Sequence, residues 1–196
     1  ALLIRGIIGL GTLIFNLPLN IWQIVLISAI VTLLRVVIAV VIGLSWTLPI
    51  GIKIGMNPKS AKVFQPIVQI LASIPATALF PILLVFLINI SGGLNIASIL
   101  LMLLGTQWYL LFNIIAGAIS IPKDLIEVSS LMGIKGWEKW KTLILPCIFP
   151  YLVTGGITAM GGAFNASIVS EYIIYNNKVI KTVGLGALIT ESSSTG

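Results

Sequence analysis

The sequence predicts an all-α fold, a polytopic bundle of transmembrane helices, from its composition and the placement of its charges. Of its 196 residues, 58% are hydrophobic and 8% are charged, whereas a soluble domain is about one quarter charged. Residues 63–122 contain no Asp, Glu, Lys or Arg. As one helix this run would measure roughly 90 Å, about three times the hydrocarbon thickness of a bilayer. It therefore suits two spans, with the turn at residues 91–95.

Several function classes are disfavoured by what the chain lacks. Cys147 is the single cysteine and histidine is absent, so we expect no disulfide, no metal site and no cofactor. No phosphate-binding loop motif is present, so any ATP must be hydrolysed by another chain. The net charge of +6 comes from lysines in short loops, without the aromatic interleaving of a nucleic-acid surface. No nucleophile and base can be nominated, which disfavours the alternative of a membrane-embedded enzyme.

The N-terminal half is predicted to hold a partial helix and two spans. Residues 1–17 form a clipped transmembrane helix rather than a signal peptide, because no small-residue cleavage site follows. An interfacial segment is expected around residues 22–29, since Trp favours the headgroup level, and a span over 31–54. A second span over 65–89 contains three prolines, so we expect it to be kinked or broken.

The C-terminal half is predicted to hold two more spans with a polar hairpin between them. The spans cover about 96–119 and 147–172, and residues 122–146 form the hairpin. After 172 a loop leads to a Gly-Leu-Gly turn at 184–186. We expect a further span to be missing there, so that the chain is a fragment truncated at both ends.

The lysines predict the orientation of the bundle, because cytoplasmic loops are enriched in Lys and Arg. One side of the spans receives eight of the eleven basic residues, and this side should be cytoplasmic. They are Arg5, Lys53, Lys59, Lys62, Lys123, Lys135, Lys139 and Lys141. The opposite side has Lys178 and Lys181.

The 122–146 hairpin is predicted to be two short helices joined by a tight turn. Leu125, Val128 and Met132 share one helical face, and Gly133 can end the first helix in the left-handed conformation. One interpretation is an amphipathic loop resting on the headgroups; the other is a docking surface for a partner.

Within this hairpin the sequence resembles the EAA signature of binding-protein-dependent ABC importer permeases. That signature reads Glu-Ala-Ala, three residues, Gly, nine residues, Ile, one residue, Leu-Pro. Glu127, Gly133, Leu145 and Pro146 are in register, while Val128 and Ser129 replace the alanines and Leu143 the isoleucine. Other resembling stretches are 32–35, 69–81, 105–109 and 165–172, similar to the nitrate, sulfonate and taurine subgroup.

The resemblance implies the type I ABC importer permease fold, with this chain as most of the second half of a two-half permease. It implies a multi-pass subunit of the prokaryotic plasma membrane that contacts lipid, an ABC ATPase subunit, a second permease half or subunit, and an extracytoplasmic solute-binding protein. The ATPase-coupling residues would be Glu127, Ser129, Gly133, Leu145 and Pro146. The solute would be a small anion such as nitrate, a sulfonate or a taurine-like compound. A secondary transporter or channel without an ATPase is the alternative.

Polar residues inside the predicted spans are candidates for the translocation path. Ionisable groups at mid-bilayer are costly and are functional by default. Arg35 and Glu171 are expected to face the path, to pair with each other, or to reach the headgroups. Gln107, Asn113 and Asn165 would supply further polar lining. Separately, the small residues Gly155, Ala159, Gly162 and Ala166 form a stripe that predicts a helix–helix seam.

Overall fold

A computed structural model describes residues 18–175 and 178–195, without the side chain of residue 195. The clipped helix predicted at 1–17 lies outside the described residues. The elements in chain order are α1 (Leu19–Gly55), α2 (Pro58–Ala72), α3 (Ala76–Leu87), α4 (Gly93–Ile119), α5 (Lys123–Leu131), α6 (Gly136–Lys139), a π-helical turn (Trp140–Ile144), α7 (Leu145–Ser170), β1 (Tyr172–Tyr175), β2 (Lys178–Lys181) and α8 (Leu185–Thr195).

Within the described residues, three helical segments are long and apolar enough to cross a membrane. They are α1, α4 and the continuous stretch Gly136–Ser170. The pair α2 and α3 makes a fourth span if it is counted as one, and its two helices are bent by 68°. The prediction of an all-α transmembrane bundle is therefore confirmed.

The first two spans begin earlier than the sequence suggested. α1 is one helix from Leu19, and it absorbs the segment expected to lie apart at residues 22–29. No proline interrupts residues 21–48, so nothing breaks the helix there. α2 begins at Pro58 rather than near residue 65, because the Asn57 side chain accepts hydrogen bonds from the Lys59 and Ser60 N–H groups. Pro58 then occupies the first helical turn, where its missing N–H is not needed.

The span predicted over 65–89 is broken, and only one of its three prolines marks the break. α2 ends at Ala72, and Pro75 precedes α3 in an extended conformation. Pro66 lies inside α2 and Pro81 inside α3.

The α-helix of the last span, α7, begins at Leu145, close to the predicted start near Pro146, but it continues a helix that begins earlier. The helix is continuous from Gly136 to Ser170 and passes through the π-helical turn, where the Leu145 N–H donates to the Trp140 carbonyl. Pro146 has no N–H to donate to the preceding turn, and π-helical turns are one way in which a helix absorbs such a local irregularity. The second piece of the hairpin is thus the beginning of the last span.

α4 lies between α1 and α7, and glycines allow close approach on both sides. On α1, a Cβ at Gly51 would lie 2.7 Å from Ile114 Cγ2 of α4. On α7, a Cβ at Gly155 would lie 2.9 Å from the Asn113 Cβ. Ala159, which belongs with Gly155 to the predicted helix–helix seam of small residues, is fully buried. Close backbone packing of this kind is the main way in which helices associate in lipid.

A short β-hairpin follows α7, where the sequence suggested only a loop. β1 and β2 are antiparallel, with Ile173 opposite Ile180 and Ile174 opposite Val179. All four residues of β1 and two of the four in β2 are β-branched or aromatic, which favours this structure. Ile173 packs against the cluster formed by α3 and α4, so one face of the β-hairpin is attached to the bundle.

Candidate functional site

The turn of the 122–146 hairpin is built around two glycines with positive φ. Gly133 has φ +74° and Gly136 has φ +57°. The Ile134 N–H donates to the Ser129 carbonyl and the Gly133 N–H to the Ser130 carbonyl, which is the Schellman arrangement for ending a helix. The predicted helix end at Gly133 is therefore present.

One side of the hairpin presents large apolar side chains away from the bundle. Leu131 is 87% exposed, Trp137 74% and Met132 71%. Leu125 and Val128 on α5 are each almost half exposed. Exposed apolar residues grouped in this way mark contact surfaces with a partner or a membrane.

The other side of the hairpin is fixed to the bundle. Ile121 and Ile144 are buried in the core cluster that also contains Ile114, and Ile126 and Trp140 pack against it. The exposed side chains therefore stand on a supported base rather than on a free loop.

The residues of the EAA-like pattern occupy different environments. Glu127 and Pro146 are exposed, while Leu145 packs against the core cluster. Ser129 is buried, and its hydroxyl donates to the Ile126 carbonyl. These residues do not form one continuous surface: Ser129 and Leu145 support the hairpin, and Glu127 belongs to its exposed side.

The hairpin lies at the lysine-rich end of the bundle. A cavity of about 280 Å³ is lined by residues from the end of α1, the start of α2, the end of α4 and the start of α5, among them Gly55, Pro58, Ala118 and Lys123. The lysines grouped by the sequence therefore flank the same end as the hairpin, and the cytoplasmic assignment of that end stays a prediction.

At the opposite end, Arg35 and Glu171 form a buried ion pair. Arg35 Nη1 lies 2.6 Å from Glu171 Oε1, and the two side chains are 7% and 0% exposed. The sequence left three possibilities for these residues: facing the translocation path, pairing with each other, or reaching the headgroups. In the structure they pair with each other. Pairing relieves much of the cost of burying each charge alone.

Further polar groups complete this cluster. The Thr32 hydroxyl lies 2.8 Å and 3.1 Å from the two Glu171 carboxylate oxygens, and the Gly186 N–H donates to Oε2 at 2.8 Å. Arg35 Nη2 donates to Asn95 Oδ1 at 2.6 Å and to Thr182 Oγ1 at 2.9 Å. The cluster joins α1, the start of α4, the end of α7, the segment after β2 and the start of α8.

Sequence reasoning missed Thr32, Asn95, Thr182 and Gly186 as members of this cluster. Thr32 is three residues before Arg35, and that spacing puts both on one helical face. The partners in the other segments carry no comparable signal, because only the tertiary fold brings them together.

The remaining path candidates do not come together with the ion pair or with one another. Gln107 lines a small cavity with residues next to the α2–α3 break, including Ile74 and Ala76. The Asn113 side chain donates to the Tyr109 carbonyl and faces Gly155 of α7. Asn165 is exposed on α7.

Asn165 belongs to an exposed stripe of small and polar residues along α7. Its other members, at steps of four, three and four, are Thr154, Thr158 and Gly161, all exposed. The two threonine hydroxyls donate to carbonyls within their own helix. The threonine hydroxyls are thus satisfied within the helix, whereas the exposed Asn165 amide is unfavourable against lipid. The face around Asn165 is therefore suited to another chain or to water.

Within the described residues, no group of three or more His, Cys, Asp or Glu side chains is placed to hold a metal ion.

These features define a helical membrane transport subunit with a supported hairpin at its lysine-rich end. The sequence profile of the binding-protein-dependent transport system inner membrane component family matches residues 47–195. The chain belongs to this family. It is therefore a transport permease of the plasma membrane that crosses the bilayer several times, and the family is not one of enzymes.

Curated relatives agree with the ABC transporter assignment. The chain is 25% identical over 185 residues to a putative ABC transporter permease protein of Methanocaldococcus jannaschii, covering 94% of this chain and 61% of that protein. It is 28% identical over 155 residues to the bicarbonate transport system permease protein CmpB of Synechocystis sp., which covers 79% of this chain and 51% of that protein. It is 25% identical over 167 residues to the nitrate import permease protein NrtB of Synechococcus elongatus, which covers 85% of this chain and 56% of that protein. The chain thus spans between one half and two thirds of these relatives' lengths.

Proposed function

We propose that the chain is the membrane-spanning part of an ATP-driven importer for a small anion, and that the 122–146 hairpin couples it to a separate ATPase subunit. The partners are this ATPase, a second permease half or subunit, and an extracytoplasmic solute-binding protein. The observation that carries the proposal is the supported hairpin, with Leu131, Met132 and Trp137 exposed on it, in a chain of the binding-protein-dependent family.

The hairpin suits transmission of a movement because it is held on one side and open on the other. Ile121 and Ile144 are buried in the core cluster, so a force on the exposed side is passed to the bundle. A loop lying on headgroups would instead turn its exposed Leu131 and Trp137 into the membrane interface. Capture by a groove of an ATPase buries the same side chains in protein, and the lysines on either side favour the cytoplasmic location that this requires.

The exposed stripe on α7 supports a path next to a second permease half. The Asn165 amide would be poorly placed against lipid, whereas a second half or a hydrated path would offer it hydrogen-bond partners; the small side chains of Thr158 and Thr154 on the same face leave room for either. Gln107 and Asn113 are kept as further candidates for contact with solute.

Small oxyanions are the substrate class that the relatives favour, since two of them carry bicarbonate and nitrate in their names. The chain's own charges add nothing to this inference: the Arg35 guanidinium is paired with Glu171 and is not free to hold a solute. Sulfonates and taurine-like compounds stay within the proposal.

The test uses Gly133, where backbone conformation can be perturbed without a steric clash. A Cβ at Gly133 would meet nothing within 4 Å, so the added Cβ itself causes no clash, and two side chains of similar size can be compared for their tolerance of positive φ. Valine at positive φ is strongly disfavoured, by about 1–2 kcal/mol or more, whereas Asn tolerates this region. We expect Gly133→Val to uncouple ATP hydrolysis from uptake and Gly133→Asn to keep most of the coupling.

The measurement is solute-dependent ATP hydrolysis and uptake by the full-length permease, reconstituted with its ATPase and binding protein. The amount of assembled complex serves as the control for folding. If Gly133→Val hydrolyses ATP and imports solute as well as Gly133→Asn does, the hairpin is not the coupling element.

A further inference from the structure

A single guanidinium holds both ends of the β-hairpin. Glu171 directly precedes β1 and Thr182 directly follows β2. Arg35 Nη1 donates to Glu171 Oε1 at 2.6 Å, and Nη2 donates to Thr182 Oγ1 at 2.9 Å. The Thr182 N–H also donates to the Glu171 carbonyl at 3.0 Å. The base of the β-hairpin is therefore closed by its own backbone. It is tied to α1 by Arg35 and Thr32, and to α4 by the Thr182 hydroxyl, which donates to Asn95 Oδ1 at 2.6 Å.

The start of α8 is tied to the same cluster. The Gly186 N–H donates to Glu171 Oε2 and the Leu185 N–H donates to Thr32 Oγ1, both at 2.8 Å. At Gly184 an added Cβ would collide with the Glu171 carboxylate. The chain between β2 and α8 can come this close to the carboxylate only because a glycine stands there.

The β-hairpin depends on this attachment because it has little support of its own. Each strand has four residues, and an isolated two-stranded hairpin is marginally stable at best. Ile173 packs against the bundle, but Ile174 is 68% exposed and Val179 54%.

We propose that Arg35, Glu171 and Thr182 are positioning residues that clamp the β-hairpin and α8 to α1, so that this end of the permease moves as one body during transport. The clamp requires both terminal nitrogens of the guanidinium, Nη1 on Glu171 and Nη2 on Thr182. Arg presents several donors in a rigid fork, whereas Lys is a compact point charge. The role in transport rests on the proposed function; the mechanical role does not.

The plainer alternative is that Arg35 only neutralises Glu171. In that case Arg35→Lys would keep the β-hairpin in place, and the Thr182 hydroxyl would be dispensable. If the clamp is correct, both Arg35→Lys and loss of the Thr182 hydroxyl should loosen the β-hairpin. Thr182→Val separates the two ideas most cleanly, because it leaves the Arg35–Glu171 pair intact. It removes only the Thr182 hydroxyl, which accepts from Arg35 Nη2 and donates to Asn95 Oδ1 at 2.6 Å.

The first measurement is hydrogen exchange of the full-length permease in nanodiscs. We expect Thr182→Val to accelerate exchange of the β1 and β2 amides by about tenfold or more, the effect of losing the two hydrogen bonds of the Thr182 hydroxyl from a local opening reaction. Arg35→Lys should do the same. Ser45→Ala is the matched control, since Ser45 is exposed on α1 and its hydroxyl donates only within its own helix, to the Ile42 carbonyl.

Exchange of the strand amides in Thr182→Val at the rate found in Ser45→Ala would overturn the clamp. So would acceleration spread equally over α1, α4 and α7, because that would indicate a general loss of packing. If Arg35→Lys does not assemble, Thr182→Val decides the question alone. This measurement needs no transport activity, so it stands even if the importer assignment fails.

The second measurement is ATP hydrolysis by Thr182→Val in the reconstituted transporter. We expect basal hydrolysis equal to that of Ser45→Ala, with stimulation by the solute-loaded binding protein reduced severalfold. Equal reduction of basal and stimulated hydrolysis would count against a positioning role. Normal stimulation together with accelerated exchange would show that the clamp exists but does not serve transport, and would overturn that part of the proposal.

Discussion

Replacing Gly51 by alanine should separate α1 from α4, and the structure gives the size of the effect. The added Cβ would lie 2.7 Å from Ile114 Cγ2 and 3.0 Å from Ile114 Cβ, whereas carbon atoms prefer separations of about 3.5–4.0 Å. Ile114 is fully buried, and a β-branched side chain in a helix has essentially one χ1 rotamer. The helices must therefore move apart by several tenths of an ångström.

Two opposing effects determine how Gly51→Ala changes the free energy of unfolding. Overpacking of this kind costs about 1–3 kcal/mol, and alanine in place of glycine within a helix returns about 0.5–1 kcal/mol. The net loss expected for Gly51→Ala is therefore between about zero and 2.5 kcal/mol. Gly156→Ala is the matched control, since a Cβ there would meet nothing within 4 Å. That variant should gain about 0.5–1 kcal/mol.

The assay is equilibrium unfolding of the full-length permease in mixed detergent, followed by the fluorescence of its tryptophans. The two variants make the same chemical change in spanning helices, so their difference isolates the packing term. Equal unfolding midpoints for Gly51→Ala and Gly156→Ala would refute the assigned contact between α1 and α4.

Two further outcomes follow from the polar residues. Glu171→Leu leaves the Arg35 charge buried without its partner and should destabilise the protein by roughly 3–5 kcal/mol, whereas the double variant Arg35→Met/Glu171→Leu should lose less stability. The same unfolding assay measures both variants. A double variant less stable than Glu171→Leu alone would contradict this reasoning. Asn165→Leu should reduce solute uptake without lowering stability, because Asn165 is exposed on α7 and leucine is better suited to a membrane helix. Unchanged uptake in reconstituted vesicles would remove Asn165 from the path.

The spanning helices could be predicted because lipid imposes a strong and local rule. An apolar stretch of sufficient length must be helical in a bilayer, so α1, α4 and the last span are visible in composition alone. Their ends were less predictable. The α2 start depends on the Asn57 cap, and the π-helical turn before α7 has no periodic signature that would distinguish it from a loop ending at Pro146.

The ion-pair cluster could be suspected from sequence but not assembled from it. Arg35 and Glu171 are 136 residues apart, and a charge in an apolar stretch indicates importance without naming its partner. Thr182 lies in a segment with an ordinary loop composition, and its role appears only when the β-hairpin brings it beside Glu171. The β-hairpin itself was missed because each strand is too short to outweigh the helical character of the surrounding chain.

The last spanning helix runs directly from the hairpin to the ion-pair cluster, and this suggests how the two ends can influence each other. The stretch Gly136–Ser170 is continuous and at 1.5 Å per residue measures roughly 50 Å. It begins at the turn of the 122–146 hairpin and ends one residue before Glu171. Under the proposed function, a displacement of the hairpin is carried along this helix to the ion-pair cluster without an intervening loop. The π-helical turn at Trp140–Ile144 and the proline at 150 interrupt regular α-helical hydrogen bonding along it. Under the same proposal we expect the helix to bend near the hairpin, and the half that carries Asn165 to move together with the clamp.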